Sequence, residues 1–257
     1  MKMVSGRCNL SIVPLRAEAA HRSEMVSQVL FGEEFEILEE TQDWTRIRLF
    51  SPGYEGWIQN GQYSLLDPVE GGSKEGRRVF VVDLSGAVGQ SKDLHVTLVP
   101  GTTIVINDYS SSVIDWFELD GKLRMPTLRD FETEFPKLIA HYKNVPYLWG
   151  GRSQYGIDCS GLSLAIYRHF GVDLPRDAYQ QAEYGEVVDF LTEIKAGDLA
   201  FFDNEDGKIT HVGIMIDAET ILHASARVRI DKMDSEGIFN KELNRYTHKL
   251  RIVKRYF

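Results

Sequence analysis

Of the chain's two cysteines, Cys159 stands in the stretch "YGIDCSGLS", between an acid and a Ser-Gly pair. It opens a run in which Leu162, Ala165, Ile166 and Phe170 share one helical face and Gly171 supplies a stop. Outward N–H groups and the helix dipole favour a thiolate at such a position, so an exposed, activated sulfur nucleophile is expected there. The plainer use of a free thiol is as a small buried apolar group. Two histidines favour the nucleophile. His211 opens "HVGIMID", His223 lies in "ILHASA", and "DAET" turns the chain between them. Adjacent antiparallel strands at that spacing bring the two imidazoles side by side, with Ile221, His223 and Ser225 on one face. A base that takes the thiol's proton, and a group that orients the base, complete the logic of a nucleophilic triad. Zinc is the rival use of Cys and His. The chain has no C-x-x-C and no H-E-x-x-H, so neither a metal nor another cofactor is expected. Cys8 has no companion motif.

Three segments must position these residues. Residues 1–66 read as short strands, "QVLFGEEFEILEE", "WTRIRLF" and "YEGWI", parted by Gln42-Asp43 and the turn "SPGYEG", which predicts a small barrel. Residues 67–76 are polar and Gly-rich, a linker. Residues 77–126 return to strand patterns, with a hairpin expected at Pro100-Gly101 and a diverged repeat suggested by the shared "DW" of "DWTRIRL" and "DWFEL". From residue 127 to 257 the period becomes helical, through "TLRDFETEFPKLIAHYKN", the helix after Cys159 and a third helix in "LPRDAYQQAEYG". Strands then return with "GDLAFF", "THVGIMID" and "TILHASARV". Helices followed by strands predict an α+β domain on an antiparallel sheet.

Net charge is -9 and 43% of residues are apolar, the balance of a globular protein with a sizeable core and no nucleic-acid partner. No apolar run approaches the roughly 20 residues of a membrane helix, so no membrane insertion is expected. The first residues, "MKMVSGRCNLSIVPLR", lack the apolar stretch of a secretory signal. A cytoplasmic location is the simplest expectation, with export by a signal outside this sequence left open.

Six blocks in order, "YLWGG", "DCSGL", "LPRDAYQQ", "GDLAFF", "HVGI" and "ILHAS", resemble the NlpC family of cell-wall cysteine peptidases over most of residues 130–257. The resemblance implies a papain-like α+β catalytic domain with Cys159 as nucleophile, His211 as base and His223 as the orienting residue. The segment "SEMVSQVLFGEEFEILEE" through "YEGWI" resembles a bacterial SH3-type domain, and 77–126 a diverged second copy. That arrangement is similar to the γ-D-glutamyl-L-diamino acid endopeptidases. It implies hydrolysis of the bond between γ-D-Glu and the diamino acid in murein tripeptides or tetrapeptides with a free N-terminal L-Ala, as in cell-wall peptide recycling. It also implies that the barrel limits substrate length. Asp177 and Ser160 of the catalytic domain, with Tyr54 and Glu24 of the barrel, are then the substrate-binding residues. A free ammonium needs acceptors and negative charge, and Trp149 would add an apolar wall. The same residues have plainer uses. Asp177 suits a helix start, Glu24 a solvated surface, and Tyr54 and Trp149 a core. Asp158 is expected to cap the Cys159 helix and Gly161 to leave room for substrate. Related amidases and acyltransferases, or a non-catalytic wall-binding module, are the alternatives.

Overall fold

The computed structural model describes residues 4–66, 77–91, 94–107 and 118–257. The expected linker at 67–76 and the second "DW" pair, Asp115-Trp116, lie outside them. The chain forms two compact units, Met1–Thr127 with Arg168–Asp173, and Leu128–Tyr167 with Leu174–Phe257.

In the first unit, β1 (Ser5–Cys8), β2 (Ile12–Arg16), β3 (Met25–Leu30), β4 (Glu34–Glu40), β5 (Trp44–Leu49), β6 (Glu55–Gln59) and β7 (Tyr63–Leu65) make one antiparallel sheet in the order β3-β2-β6-β5-β4-β1-β7. The alternation of "WTRIRL" buries Ile47 and Leu49 beneath exposed Arg46 and Arg48. These join Val13, Leu15, Val29, Phe35 and Ile58 in a core that also takes Cys8. "QVLFGEEFEILEE" is two strands, because Gly32 at φ +79° turns the chain between them. Next come β8 (Arg77–Ser91), β9 (Leu94–Leu98), β10 (Thr103–Asn107) and β11 (Glu118–Arg124). The hairpin expected at Pro100-Gly101 does not form. β9 and β10 each pair with the long β8, at opposite ends of it, and not with one another. Within this unit Arg168 pairs with Glu33 at 2.6 Å, both side chains 5% exposed.

The second unit opens with α1 (Phe131–Tyr142), which buries Phe131, Phe135, Leu138 and Tyr142 along one face. The two-residue strands β12 (Arg152–Ser153) and β13 (Gly156–Ile157) follow, then α2 (Cys159–Arg168), buried along its whole length. α3 is confined to Ala178–Gln181, shorter than the expected third helix. The Gln181 carbonyl, which would continue it, accepts a hydrogen bond from the Tyr256 hydroxyl. The sheet is built from β14 (Glu186–Val187), β15 (Leu199–Asp203), β16 (Ile209–Met215), β17 (Thr220–Ser225), β18 (Arg227–Met233), β19 (Gly237–Asn240) and β20 (Arg245–Arg255). Neighbours pair antiparallel from β15 to β20, and β20 also pairs with β15, so these strands close into a ring. One core cluster of this unit is formed by Ala200, Phe202, Met215, Ile221, Met233, Ile238 and Val253 with Ile194.

Candidate active site

Asp158 sets the start of α2. Its carboxylate accepts the N–H of Gly161 at 2.7 Å, capping the helix, and the N–H of Gly150 at 2.8 Å. Arg176 donates to both of its oxygens, at 2.5 and 3.2 Å, and to the Ser160 hydroxyl at 2.8 Å. At Gly161 a Cβ would stand 2.1 Å from the Gly151 carbonyl oxygen, so the glycine permits close backbone packing beside Cys159.

Cys159 is the first residue of α2, as expected, but the thiol is 7% exposed and not an open, pre-formed thiolate. Burial, with Asp158 adding to it, pushes the thiol up to about 11. Hydrogen bonds with the Val212 and Ser160 backbone oppose the rise without cancelling it. Val212 directly follows His211, so this hydrogen bond ties the thiol to the strand that carries the imidazole. The Tyr147 phenol is pushed up by burial first and then by Cys159 and Asp158.

The histidines meet across β16 and β17. The register sets His223 opposite Gly213, so His211, two residues away, is its diagonal neighbour on the same face. His211 Nε2 lies 3.0 Å from His223 Nδ1. His223 Nε2 lies 3.0 Å from Asp231 Oδ2 on β18. Arg229 grips that carboxylate through Nε at 2.5 Å and a terminal nitrogen at 3.0 Å. Burial favours raising the Asp231 carboxyl, but the hydrogen bonds from His223 and Arg229 outweigh it and hold it low. Burial pushes His211 well down, aided by His248 and His223, and lowers His223 against the pull of Asp231.

His248, on β20, stacks on His211 with ring centroids 4.0 Å apart and planes 22° apart, and burial pushes it down to about 4. One ring nitrogen from each of His211, His223 and His248 lies within 4.8 Å of the others, a spacing that invites a metal. His223 uses both nitrogens, on His211 and Asp231, and His248 Nδ1 meets the Thr247 hydroxyl at 2.9 Å. A metal held by all three rings would have to break this chain of hydrogen bonds.

The other expected residues fall as follows. Ser160 is buried at 5% exposure, with its hydroxyl toward Arg176. Asp177 is half-buried at the start of α3, and its N–H donates to the Gln180 side chain at 3.1 Å. Trp149 is 60% exposed, not a core residue. Tyr54, in the first unit, is half-buried against that unit's core, and Glu24 precedes β3 on the surface. Cys8 is buried and pushed up to about 12, mainly by burial, an inert thiol. The sequence reading did not single out Tyr147, Arg229, Asp231 or His248. No sequence signal marks Asp231: in "RVRIDKM" Asp231 and Met233 are buried while Ile230 is 38% exposed, the reverse of what residue type suggests.

A thiol at a helix start, bonded to the strand that carries one of a hydrogen-bonded imidazole pair in an α+β fold, is the constellation of a cysteine hydrolase. Residues 144–247 match the model of the NlpC/P60 family, and residues 15–62 match that of the bacterial dipeptidyl-peptidase Sh3 domain. The chain is 31% identical over 173 residues to the murein DD-endopeptidase MepS/murein LD-carboxypeptidase of Escherichia coli K12, covering 82% of that protein and 64% of this one. It is 29% identical over 245 residues to the γ-D-glutamyl-L-lysine dipeptidyl-peptidase of Bacillus subtilis, covering 84% of this chain and 78% of the relative. The crystal structure of an NlpC/P60 family protein from Bacillus cereus shares the fold, with a TM-score of 0.76 at 18% identity over 98% of this chain and 99% of that one. The chain therefore belongs to the NlpC/P60 family of cysteine peptidases and carries a bacterial SH3 domain ahead of the peptidase domain.

Proposed function

We propose that the chain hydrolyses the bond between γ-D-Glu and the diamino acid in short murein peptides whose N-terminal L-Ala is free. The observation that carries the reading is the 3.0 Å hydrogen bond between His211 and His223, beside a thiol held on the Val212 backbone. Cys159 and His211 ionise together. The imidazole takes the S–H proton and the sulfur attacks the carbonyl carbon of γ-D-Glu. The proton passes to the departing amine, leaving a thioester. Water, deprotonated by His211, then releases the acid and restores the thiol. The Cys159 N–H at the head of α2 is the natural donor to the oxyanion.

The bond specificity is supported by relatives. Those of Bacillus subtilis and Bacillus cereus are both named γ-D-glutamyl-L-lysine dipeptidyl-peptidases, and each aligns with 84% of this chain. A half-buried carboxylate at Asp177 suits a free ammonium, with Ser160 and Trp149 of the same unit as expected companions; the roles expected of Tyr54 and Glu24 rest on the resemblance alone. The sheet of β8 to β11 is read as a diverged second SH3-type barrel, and the product as a peptide for recycling in the cytoplasm.

The test is digestion of L-Ala-γ-D-Glu-diaminopimelate, free and N-acetylated, followed by mass spectrometry. The free peptide is expected to be cut after γ-D-Glu, the acetylated one poorly, and neither by Cys159→Ala. Asp177→Asn is expected to narrow the preference, since losing a partner from a desolvated charge costs about 2–5 kcal/mol. Equal cleavage of both peptides by the parent would refute the amine requirement. Cleavage at another bond, as the resemblance to the murein DD-endopeptidase allows, would move the specificity.

A further inference from the structure

We infer that Asp231 is a positioning residue which fixes the protons of the histidine pair, so that the bare nitrogen of His211 is the one offered to the thiol. The inference rests on the proposed thiol-peptidase reading, and it assigns a role to a residue outside the Cys159, His211 and His223 set.

The argument is an account of donors and acceptors. Arg229 donates to both oxygens of Asp231, at 2.5 and 3.0 Å, and holds the carboxylate as an acceptor. His223 Nε2, 3.0 Å from Oδ2, must therefore carry its hydrogen. A neutral imidazole has one N–H, so His223 Nδ1 is bare. His211 Nε2, 3.0 Å from that bare nitrogen, must then be its donor. In neutral His211 this leaves Nδ1 without a proton. It is also the only nitrogen of that ring not engaged by His223, and so the one available to Cys159. Burial holds both rings neutral, which keeps the count valid.

Asp231 breaks a symmetry. Between the two imidazoles alone, one hydrogen bond can run in either direction at equal cost. The reverse direction puts a proton on His211 Nδ1, the atom that has to accept one, and that form cannot act as a base. When His211 does take the thiol proton, the chain of N–H bonds leads the positive charge toward the Asp231 carboxylate. Other charged or titratable groups stand around the pair. They are Arg229 on the Asp231 strand, Glu242 bonded to Arg229 at 3.1 Å, His248 stacked on His211, and the thiol itself. None of these is hydrogen-bonded to His223 Nε2, so none can choose its tautomer.

Nitrogen-15 NMR of the histidine rings in the whole chain tests this without substrate. Both His211 and His223 are expected as the Nε2–H form near neutral pH, with Nδ1–H on either overturning the inference. Asp231→Leu, which removes the acceptor, is expected to give mixed tautomers and to lower kcat by at least about 100-fold, since a wrongly held tautomer in a triad costs up to about 10⁴. KM should stay within about threefold, because substrate binding is untouched. Asp231→Asn keeps one oxygen between Arg229 and His223, so it is expected to keep the tautomer and most of kcat. Parent-level kcat in Asp231→Leu, or a kcat loss in either variant with the tautomers unchanged, refutes the role. If Asp231→Leu does not fold, the parent spectrum and Asp231→Asn decide. A parent that shows the expected tautomers but cuts no murein peptide would sink the peptidase reading and leave this one standing.

Discussion

His248 stacks on His211 and is itself hard to protonate. Held down to about 4, it stays neutral where an unfolded histidine takes a proton near 6.5. Below pH 6.5 the unfolded chain therefore binds protons that the folded chain refuses, and stability falls as pH falls from 6.5 toward 4. His211 and His223 add to the same slope, since both are lowered as well. The melting temperature of the parent is expected to drop through this window, and His248→Gln to flatten the drop. A slope unchanged by that substitution would show that His248 is not the source. At this scale the place of Cys159 at a helix start and the meeting of His211 with His223 across two strands were legible from residue type and spacing. Asp231 and His248 were not. Their pairing partners, Ile221 and Ile238, are close in sequence, but which face of each strand turns inward is decided by packing, and the apolar Ile230 suggests the opposite phase.

Asp158 joins three elements, the loop at Gly150, the start of α2 and Arg176 ahead of α3. Asp158→Ala removes a helix cap and takes from the Arg176 guanidinium, whose side chain is 2% exposed, its carboxylate partner, leaving the Ser160 hydroxyl among its acceptors. Losing one partner of a buried pair costs about 3–5 kcal/mol. Urea unfolding is expected to show a loss of that order, with Arg176→Met in the same background restoring part of it. A loss near zero would mean that water reaches the pair. The cap was readable in "DCSG", because an acid ahead of a helix has a local job. The pairing of β9 and β10 with β8 was not, because a Pro-Gly turn between apolar runs fits a hairpin equally well. The length of α3 was unreadable for a similar reason, since Tyr256, 75 residues from Gln181, helps to end it.

At the scale of the whole molecule, the two compact units are not consecutive in sequence, since Arg168–Asp173 belongs with the first. Cutting before Leu128 leaves Arg168 without Glu33 and with Asp173 at 3.8 Å as its remaining partner. A fragment of 128–257 is expected to lose up to about 3–5 kcal/mol for the stranded cation. Arg168→Met in that fragment should recover much of the loss, and denaturation midpoints of the two fragments measure it. Equal midpoints would mean the ion pair contributes nothing.

The ring of β15 to β20 has a consequence of another kind. An open sheet ends in strands whose unpaired N–H and C=O groups can recruit a strand from a second molecule, and proteins guard such margins with charge, proline or brevity. A ring has no first or last strand. Outside it the sheet offers only β14, two residues long, too short to seed a growing stack. The unit that carries the thiol and the histidines is thereby built with little surface on which copies of itself could polymerise.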